Sequence, residues 1–477
     1  MFSTKYSPFY IITFSFIIIL IVPFLIQDGM FMDGEQYACV AKNLANGKGS
    51  FWLPIVNDTW IMHGSPYFLE HPPLFYNFES LVFRVFGDSM YSERLFCLMM
   101  AFANAFVIHL IWKLNTTKNE SAKHLSWLPV LLWIMIPICF WLFQHNMIEM
   151  TLSVFTLLSV FFALKALLKT EQLYIYLILS GLLIFAAFLT KGLPGLFPLA
   201  TIPLFYIITK SITLKQTLLY TSVIIAIPII SYFLIISLSQ DAKQSLQFYI
   251  KERLLNRVYT TSTTNYRFYI LVELINELLL PSLLTLVIIT YARKKTNPVA
   301  IQKNDKQYAL LFLCLGLCGS LPLMATMVQK NFYFAASLPF FALALAFYSY
   351  NYVVQLINLL SIQWLKKIKI IAYTLLIISI IFSLLQIGKK RRDSEKINDI
   401  KYLGAYLKNE NTVSVDNDAY FDWSFQFYLY RKYAINLDPR NRHRTYIITK
   451  TDTSERLLRD YRKIDLPLTQ FKLYKKK

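Results

Sequence analysis

Two acidic patches could do chemistry in this sequence: Asp33-Gly34-Glu35, and Glu149 at the end of the turn His145-Asn146-Met147-Ile148-Glu149. A carboxylate held beside apolar segments can take the proton of a hydroxyl and turn it into a nucleophile. Asp33 with Gln36 three residues on also fits a helix capping box, which would fix the carboxylate in place. The Asp-x-Glu spacing could hold a hard cation or simply cap a helix, so a divalent metal is compatible with the sequence but not called for. Glu70-His71-Pro72-Pro73 sets an acid and an imidazole ahead of a rigid Pro-Pro, which also describes a stiff surface turn. Lys243, Lys251, Arg253, Arg257 and Arg267 gather within residues 240–267. Arg has the fork geometry for phosphate, although a solvated face would look the same. Lys191 in Thr190-Lys191-Gly192 and Lys330 in Gln329-Lys330-Asn331 are isolated bases for which snorkelling alone is enough. Glu273 and Glu277 lie four apart in an apolar segment, where acids usually face a cavity or a partner. No GxGxxG, no Walker A and no Cys/His metal spacing is present, so nucleotide-phosphate loops and zinc sites are absent from the reading.

The elements that position these groups belong to a membrane protein. Of 477 residues, 56% are hydrophobic and only 16% charged, and mean hydropathy is +0.44. Lipid is therefore the main solvent, and disorder, collagen and disulfide scaffolds are excluded. Eleven apolar runs are long enough to be counted as spans: 9–26, 95–114, 125–143, 151–168, 173–189, 193–208, 218–238, 268–291, 308–328, 332–354 and 370–387. The first has no small-residue cleavage site and reads as a retained span. Lys and Arg concentrate in alternate short loops, among them Lys113, Lys165, Lys210, Arg293, Lys294 and Lys366. That asymmetry puts the N-terminus in the cytoplasm and, with an odd span count, the C-terminal segment outside. The net charge of +20 then points to a membrane surface or a phosphorylated ligand, not to nucleic acid.

Two outer loops are long, 27–94 and 240–267. In the first, Tyr37, Val40, Ala41, Leu44 and Ala45 recur at helical spacing and predict a helix lying in the membrane interface. Leu74 to Phe86 is apolar but too short to span, so both stretches read as juxtamembrane helices. The chain divides into a transmembrane part, 1–388, and a polar C-terminal α/β domain, 389–477, expected to orient an acceptor. In that domain helices are predicted at 396–407, 421–430 and 454–461 and strands at 412–415 and 445–449.

Taken in order, Met32-Asp33-Gly34-Glu35-Gln36-Tyr37, Glu70-His71-Pro72-Pro73, Glu93-Arg94, Met147-Ile148-Glu149, Thr190-Lys191-Gly192 and Lys330-Asn331-Phe332-Tyr333 resemble the GT-C glycosyltransferases. The resemblance is closest to bacterial relatives of dolichyl-phosphate-mannose protein mannosyltransferase and of the aminoarabinose lipid A transferase. It implies a GT-C fold and transfer of a sugar from a polyprenyl-phosphate carrier to a lipid, glycan or protein acceptor. The setting it implies is the outer face of a bacterial inner membrane, with the C-terminal domain periplasmic. By position it makes Asp33 and Glu149 the catalytic acids. Glu35, Tyr37, Glu70, His71, Lys191, Arg253 or Arg257, Lys330 and Tyr333 become substrate-binding residues. The family commonly has Lys where this chain has His71, which would make a phosphate-binding charge there depend on pH. A transporter or flippase of polyprenyl-linked or phosphorylated solutes is the rival, but such proteins favour Gly/Pro-broken helices with polar groups near the midplane. Here Gly numbers only 13, and the suggestive charges sit at one set of helix ends.

Overall fold

A computed structural model describes residues 5–61, 64–117, 119–256, 262–296, 301–441, 443–450 and 458–477. The chain opens with α1 (Ser7–Ile26), α2 (Met32–Ala45), α3 (Leu74–Phe86) and α4 (Ser92–Asn115). Among the described residues, α1, α4 and seven later helices are long and apolar enough to cross a membrane: Glu149–Leu168, Leu173–Lys191, Leu214–Leu238, Tyr269–Lys295, Lys303–Ala325, Asn331–Asn358 and Ile362–Leu384. Trp127–Ile134 and Pro137–Gln144 make a tenth span if taken together, bent by 77°. Pro137 causes the bend, since it lacks a donor and drives Ile136 to an extended conformation (φ −73°, ψ 119°). The N–H of Ile138 freed by the break donates to Glu277 Oε2 at 2.7 Å, so that intramembrane acid acts as a cap. The span expected at 193–208 is present but interrupted: a 3₁₀ segment, Leu193–Ala200, leads into an α-helix, Thr201–Thr209, because Pro194 and Pro198 spoil the ladder.

Hydrogen bonds fix the two ends of the bundle. Lys5 Nζ donates to Asn358 Oδ1 (2.8 Å), Thr296 Oγ1 to Gln355 Oε1 (2.7 Å) and Gln307 Nε2 to the Ile208 carbonyl (3.0 Å), so these turns share one end. Asp28 pairs with Lys390 at the other end, where α2, α3 and the C-terminal unit gather. Lys191 lies at that second end and Ile208 at the first, so the short 193–209 segment still runs the length of the bundle.

The two helices of the first loop differ in burial. α3 keeps an apolar exposed face, with Val85 74% and Phe86 59% exposed, as a helix resting on a bilayer surface should. α2 differs from expectation: every residue from Gly34 to Leu44 is buried, so it has no face left for lipid. It is covered by the helix Trp423–Tyr433 of the C-terminal unit, an interaction the period of α2 could not reveal. Tyr428 Oη accepts from Met30 N–H (2.7 Å) and donates to the Met30 carbonyl (2.6 Å); Tyr430 Oη donates to Asn43 Oδ1 (2.9 Å). Arg431, buried, pairs with Asp88 (2.5 Å) and buried Glu93 (2.9 Å), and Lys432 pairs with Asp28 (2.5 Å).

The C-terminal unit is a mixed five-stranded sheet, ordered β2-β1-β3-β5-β4, from β1 (Thr412–Val415), β2 (Asn436–Asp438), β3 (Tyr446–Thr449), β4 (Tyr461–Ile464) and β5 (Lys472–Lys476). β1 runs parallel to β2 and β3, and β5 pairs antiparallel with β3 and β4. Helices Ser394–Tyr406 and Trp423–Tyr433 pack on it through Ile397, Ile400, Leu403, Phe425 and Leu429. Half of the helix expected at 454–461, residues 454–457, lies outside the described residues, and Tyr461 itself begins β4.

Candidate active site

α2 begins after Phe31, whose extended backbone (φ −63°, ψ 142°) carries no side-chain cap, so the expected capping box does not form and Asp33 caps nothing. With 3.6 residues per turn, Asp33 and Tyr37 share one face of α2 and Glu35 points another way. The Tyr37 ring meets His71 (6.4 Å between centroids) and Phe75 (5.5 Å) edge-on. Glu35 is placed apart from the other predicted substrate-binding residues. It is 2% exposed and faces Glu93, Arg94, Arg431 and Lys432 on the C-terminal side, where burial and then the Glu93 charge push its pKa up to about 7. Asp33 and Glu35 therefore do not converge on one ion. Among the described residues no group of three or more His, Cys, Asp or Glu is arranged for a metal.

Five separate segments build the rest of the site. Glu149 opens its helix fully buried and forms a direct ion pair with Lys191, itself 6% exposed, at the end of Leu173–Lys191. The Lys191 ammonium also lies 4.6 Å from the Tyr333 ring centroid and 5.8 Å from that of Phe332. Glu70 holds Arg253 at 2.8 Å. Glu70, His71, Lys191, Arg253 and Tyr333 line one cavity of about 470 Å³, whose remaining wall is largely apolar: Leu193, Pro194, Leu196, Phe197, Leu254, Leu323 and Val328. Asp33 is not among the lining side chains, but it is within electrostatic reach of Glu70, Glu149, Lys191 and Lys330. Burial first, then the Glu70 and Glu149 charges, raise its pKa to about 6 against the opposing pull of Lys191 and Lys330. Lys330 is exposed and stands at the start of the 3₁₀ turn Asn331–Ser337. Arg257 lies outside the described residues, and among the described bases of that loop Lys243, Lys251 and Arg267 are exposed while Arg253 reaches the cavity.

A latch joins the two catalytic candidates. The Phe31 N–H donates to His145 Nδ1 (3.1 Å), and Asn146 Nδ2 donates to both the Gly34 carbonyl (3.1 Å) and Glu79 Oε1 (2.8 Å). Gly34 is packed so tightly that a Cβ there would come 2.0 Å from the His145 carbonyl oxygen. Burial and Arg392 hold the His145 pKa down at about 3, so the ring is neutral and free to accept the Phe31 N–H.

Three contributors escaped the sequence reading. Tyr249 lines the cavity and its hydroxyl donates to the Lys191 carbonyl at 3.1 Å. Gly192, at φ +81°, makes room for that ring, since a Cβ would meet Tyr249 Oη at 1.9 Å. Glu79 is fully buried, with its pKa well above the ordinary carboxylate range mainly through burial. Its place in α3 among apolar residues was the available signal, because a lone acid in such a run needs a partner.

The profile of the family described as dolichyl-phosphate-mannose-protein mannosyltransferase matches residues 70–236. No curated protein sequence matches the chain. Among solved structures, ArnT from Cupriavidus metallidurans bound to undecaprenyl phosphate aligns over 96% of both chains, with a TM-score of 0.68 at 13% identity. The apo form of ArnT aligns over 96% of this chain and 95% of its own, at a TM-score of 0.65 and 12% identity. The apo oligosaccharyltransferase of Archaeoglobus fulgidus covers 91% of this chain and has 64% of its own length matched, at a TM-score of 0.54 and 12% identity. Glu70, Glu149 and Lys191 fall inside the family match, and the helical bundle with its C-terminal sheet has the GT-C glycosyltransferase fold seen in ArnT.

Proposed function

We propose that the protein transfers a sugar from a polyprenyl-phosphate carrier to a lipid, glycan or protein acceptor, on the outer face of a bacterial inner membrane. The observation that carries this reading is the cavity itself: a mostly apolar chamber at the end of a membrane bundle, with Arg253 and Lys191 on its wall and the acid Asp33 close by. An isoprenoid phosphate has that division of character, an apolar tail behind an anionic head. ArnT, which shares the fold, was crystallised with undecaprenyl phosphate.

In this reading Arg253 and Lys191 meet the carrier phosphate, Tyr333 shapes the space around it, and Tyr37 backs the His71 ring. Both bases are already paired with carboxylates, so an arriving phosphate shares their charge with Glu70 and Glu149. Asp33 takes the proton of the acceptor hydroxyl as its oxygen attacks the anomeric carbon. The bond from that carbon to the phosphate oxygen breaks on the opposite side, and the electron pair leaves with the polyprenyl phosphate. The configuration inverts. A base with a pKa of about 6 is well matched to work near neutral pH, ionised yet still basic. Fixed cations next to the departing phosphate stabilise the charge that grows there.

Purified protein in lipid, given a synthetic polyprenyl-phosphate sugar, tests the reading. Sugar transfer to an acceptor, or slow hydrolysis without one, is the expected result. Movement of the intact carrier across the bilayer without cleavage would replace the transferase with a flippase.

A further inference from the structure

We infer that Asn146 is a positioning residue that holds the Asp33 carboxylate in register with Glu149, an inference that rests on the transfer reading above. Asp33 and Glu149 belong to segments far apart in the chain, and only side-chain and close backbone contacts set the distance between them. Asn146 sits three residues before Glu149, is fully buried, and adopts a left-handed conformation (φ 52°) that Asn tolerates better than most side chains. That backbone turns its amide back toward α2. One N–H group of the amide reaches the carbonyl of Gly34, the residue after Asp33, and the other reaches Glu79 on α3. The Asn146 Oδ1 in turn accepts from Cys97 Sγ at 3.5 Å. Three elements, α2, α3 and α4, thus converge on one amide just ahead of the catalytic helix. The close approach of Gly34 to the His145 carbonyl leaves no slack for a different register. None of these atoms lines the cavity, so the amide acts on chemistry only through the groups it places.

Two variants separate positioning from folding. Asn146→Gly keeps the left-handed backbone and removes the amide. Asn146→Asp keeps the shape but takes away both N–H donors. Misplacement on the order of 1 Å can cost about 100-fold, so both variants should lower kcat by roughly 10- to 100-fold. The donor KM should stay within about twofold, because Arg253 and Tyr333 are untouched. Adding Glu79→Gln to Asn146→Asp returns a donor to the pair and should recover part of kcat. A kcat within about twofold of wild type in either folded variant would overturn the proposal, as would a loss borne by donor KM with kcat unchanged.

A readout independent of turnover is carbodiimide labelling of Asp33 against pH, followed by peptide mass spectrometry. The wild-type midpoint should lie near pH 6, and the variants should move it toward the ordinary carboxylate range as Asp33 drifts from Glu149 and out of its buried setting. This shift in the variants, together with a wild type that transfers no sugar, would sink the transferase and keep the positioning. Labelling curves that coincide in all three proteins would sink the positioning alone.

Discussion

At the residue scale the deciding question is what a carboxylate is for, and Asp33 can be separated from a structural acid by its pH behaviour. Its folded pKa, about 6, lies above the ordinary value of 3.8, so the folded protein holds this proton more tightly than the unfolded chain. The associated stability is full below about pH 4 and lost as pH rises through 6. Asp33→Asn, which caps nothing, should therefore melt no lower than wild type at pH 7.5, with the gap closing toward pH 4. Its kcat should fall by about 100- to 10,000-fold. Wild-type kcat should itself decline as pH drops below about 6, because the base must be ionised. A variant that transfers sugar at near wild-type rates would leave Glu149 as the acid to test. Arg253→Ala should weaken use of the polyprenyl-phosphate donor by roughly 1.5 to 3 kcal/mol for the charged hydrogen bond lost, visible as a raised donor KM. Lys191→Met leaves Glu149 charged and buried, which costs about 3 to 5 kcal/mol of stability, whereas adding Glu149→Gln removes the stranded charge and should restore most of the melting temperature but no activity.

At the element scale, α2 shows where sequence and structure part. Its existence was legible in the spacing of Tyr37, Val40, Ala41 and Leu44, and α3 was legible to the residue, because helical period and chain breakers act locally. Among the acids and bases, Glu70, His71, Lys191, Arg253 and Tyr333 do gather around one cavity. Helical period sets Glu35 on a different face from Asp33, but what that face meets, a helix almost four hundred residues later, is not written in the local sequence. Tyr249 and Asn146 were invisible for the same reason, since a phenol or an amide takes its role from long-range contacts. In the C-terminal unit β1 was legible, but β2 and β5 pair through hydrogen bonds that a three- to five-residue stretch does not advertise. Tyr428 gives this scale its test. Tyr428→Phe strands the buried N–H of Met30, at a cost of about 1 to 3 kcal/mol, and should speed limited proteolysis within residues 46–61 while the bundle stays resistant. Protease patterns identical to wild type would mean that the C-terminal unit rests on the first loop without holding it.

At the scale of the whole molecule, the bases and the hydrogen bonds agree on two ends: Arg293, Lys294 and Lys295 close their helix at the end shared by Lys5 and Asn358, and the cavity lies at the other. A topology reporter inserted at Asn297 should therefore read cytoplasm and one fused after Lys477 the outer compartment; both on one side would break the topology. Of the eleven expected spans, nine are single helices long and apolar enough among the described residues, and the other two are the bent pair 127–144 and the proline-broken 193–209. The clamp of the C-terminal unit on α2 also has a consequence in time. Met30 and Tyr428 are 398 residues apart. At roughly 5 to 20 residues per second, about 20 to 80 s of synthesis separate them, during which α2 has emerged but the helix that will cover its Glu35 face has not. A chain cut off by a stalled ribosome or a nonsense codon would carry the cavity residues from Glu70 to Tyr333 and an α2 left uncovered on its Glu35 side. In the transfer reading, use of a lipid-linked sugar then waits until Trp423–Tyr433 has been made and has closed over α2.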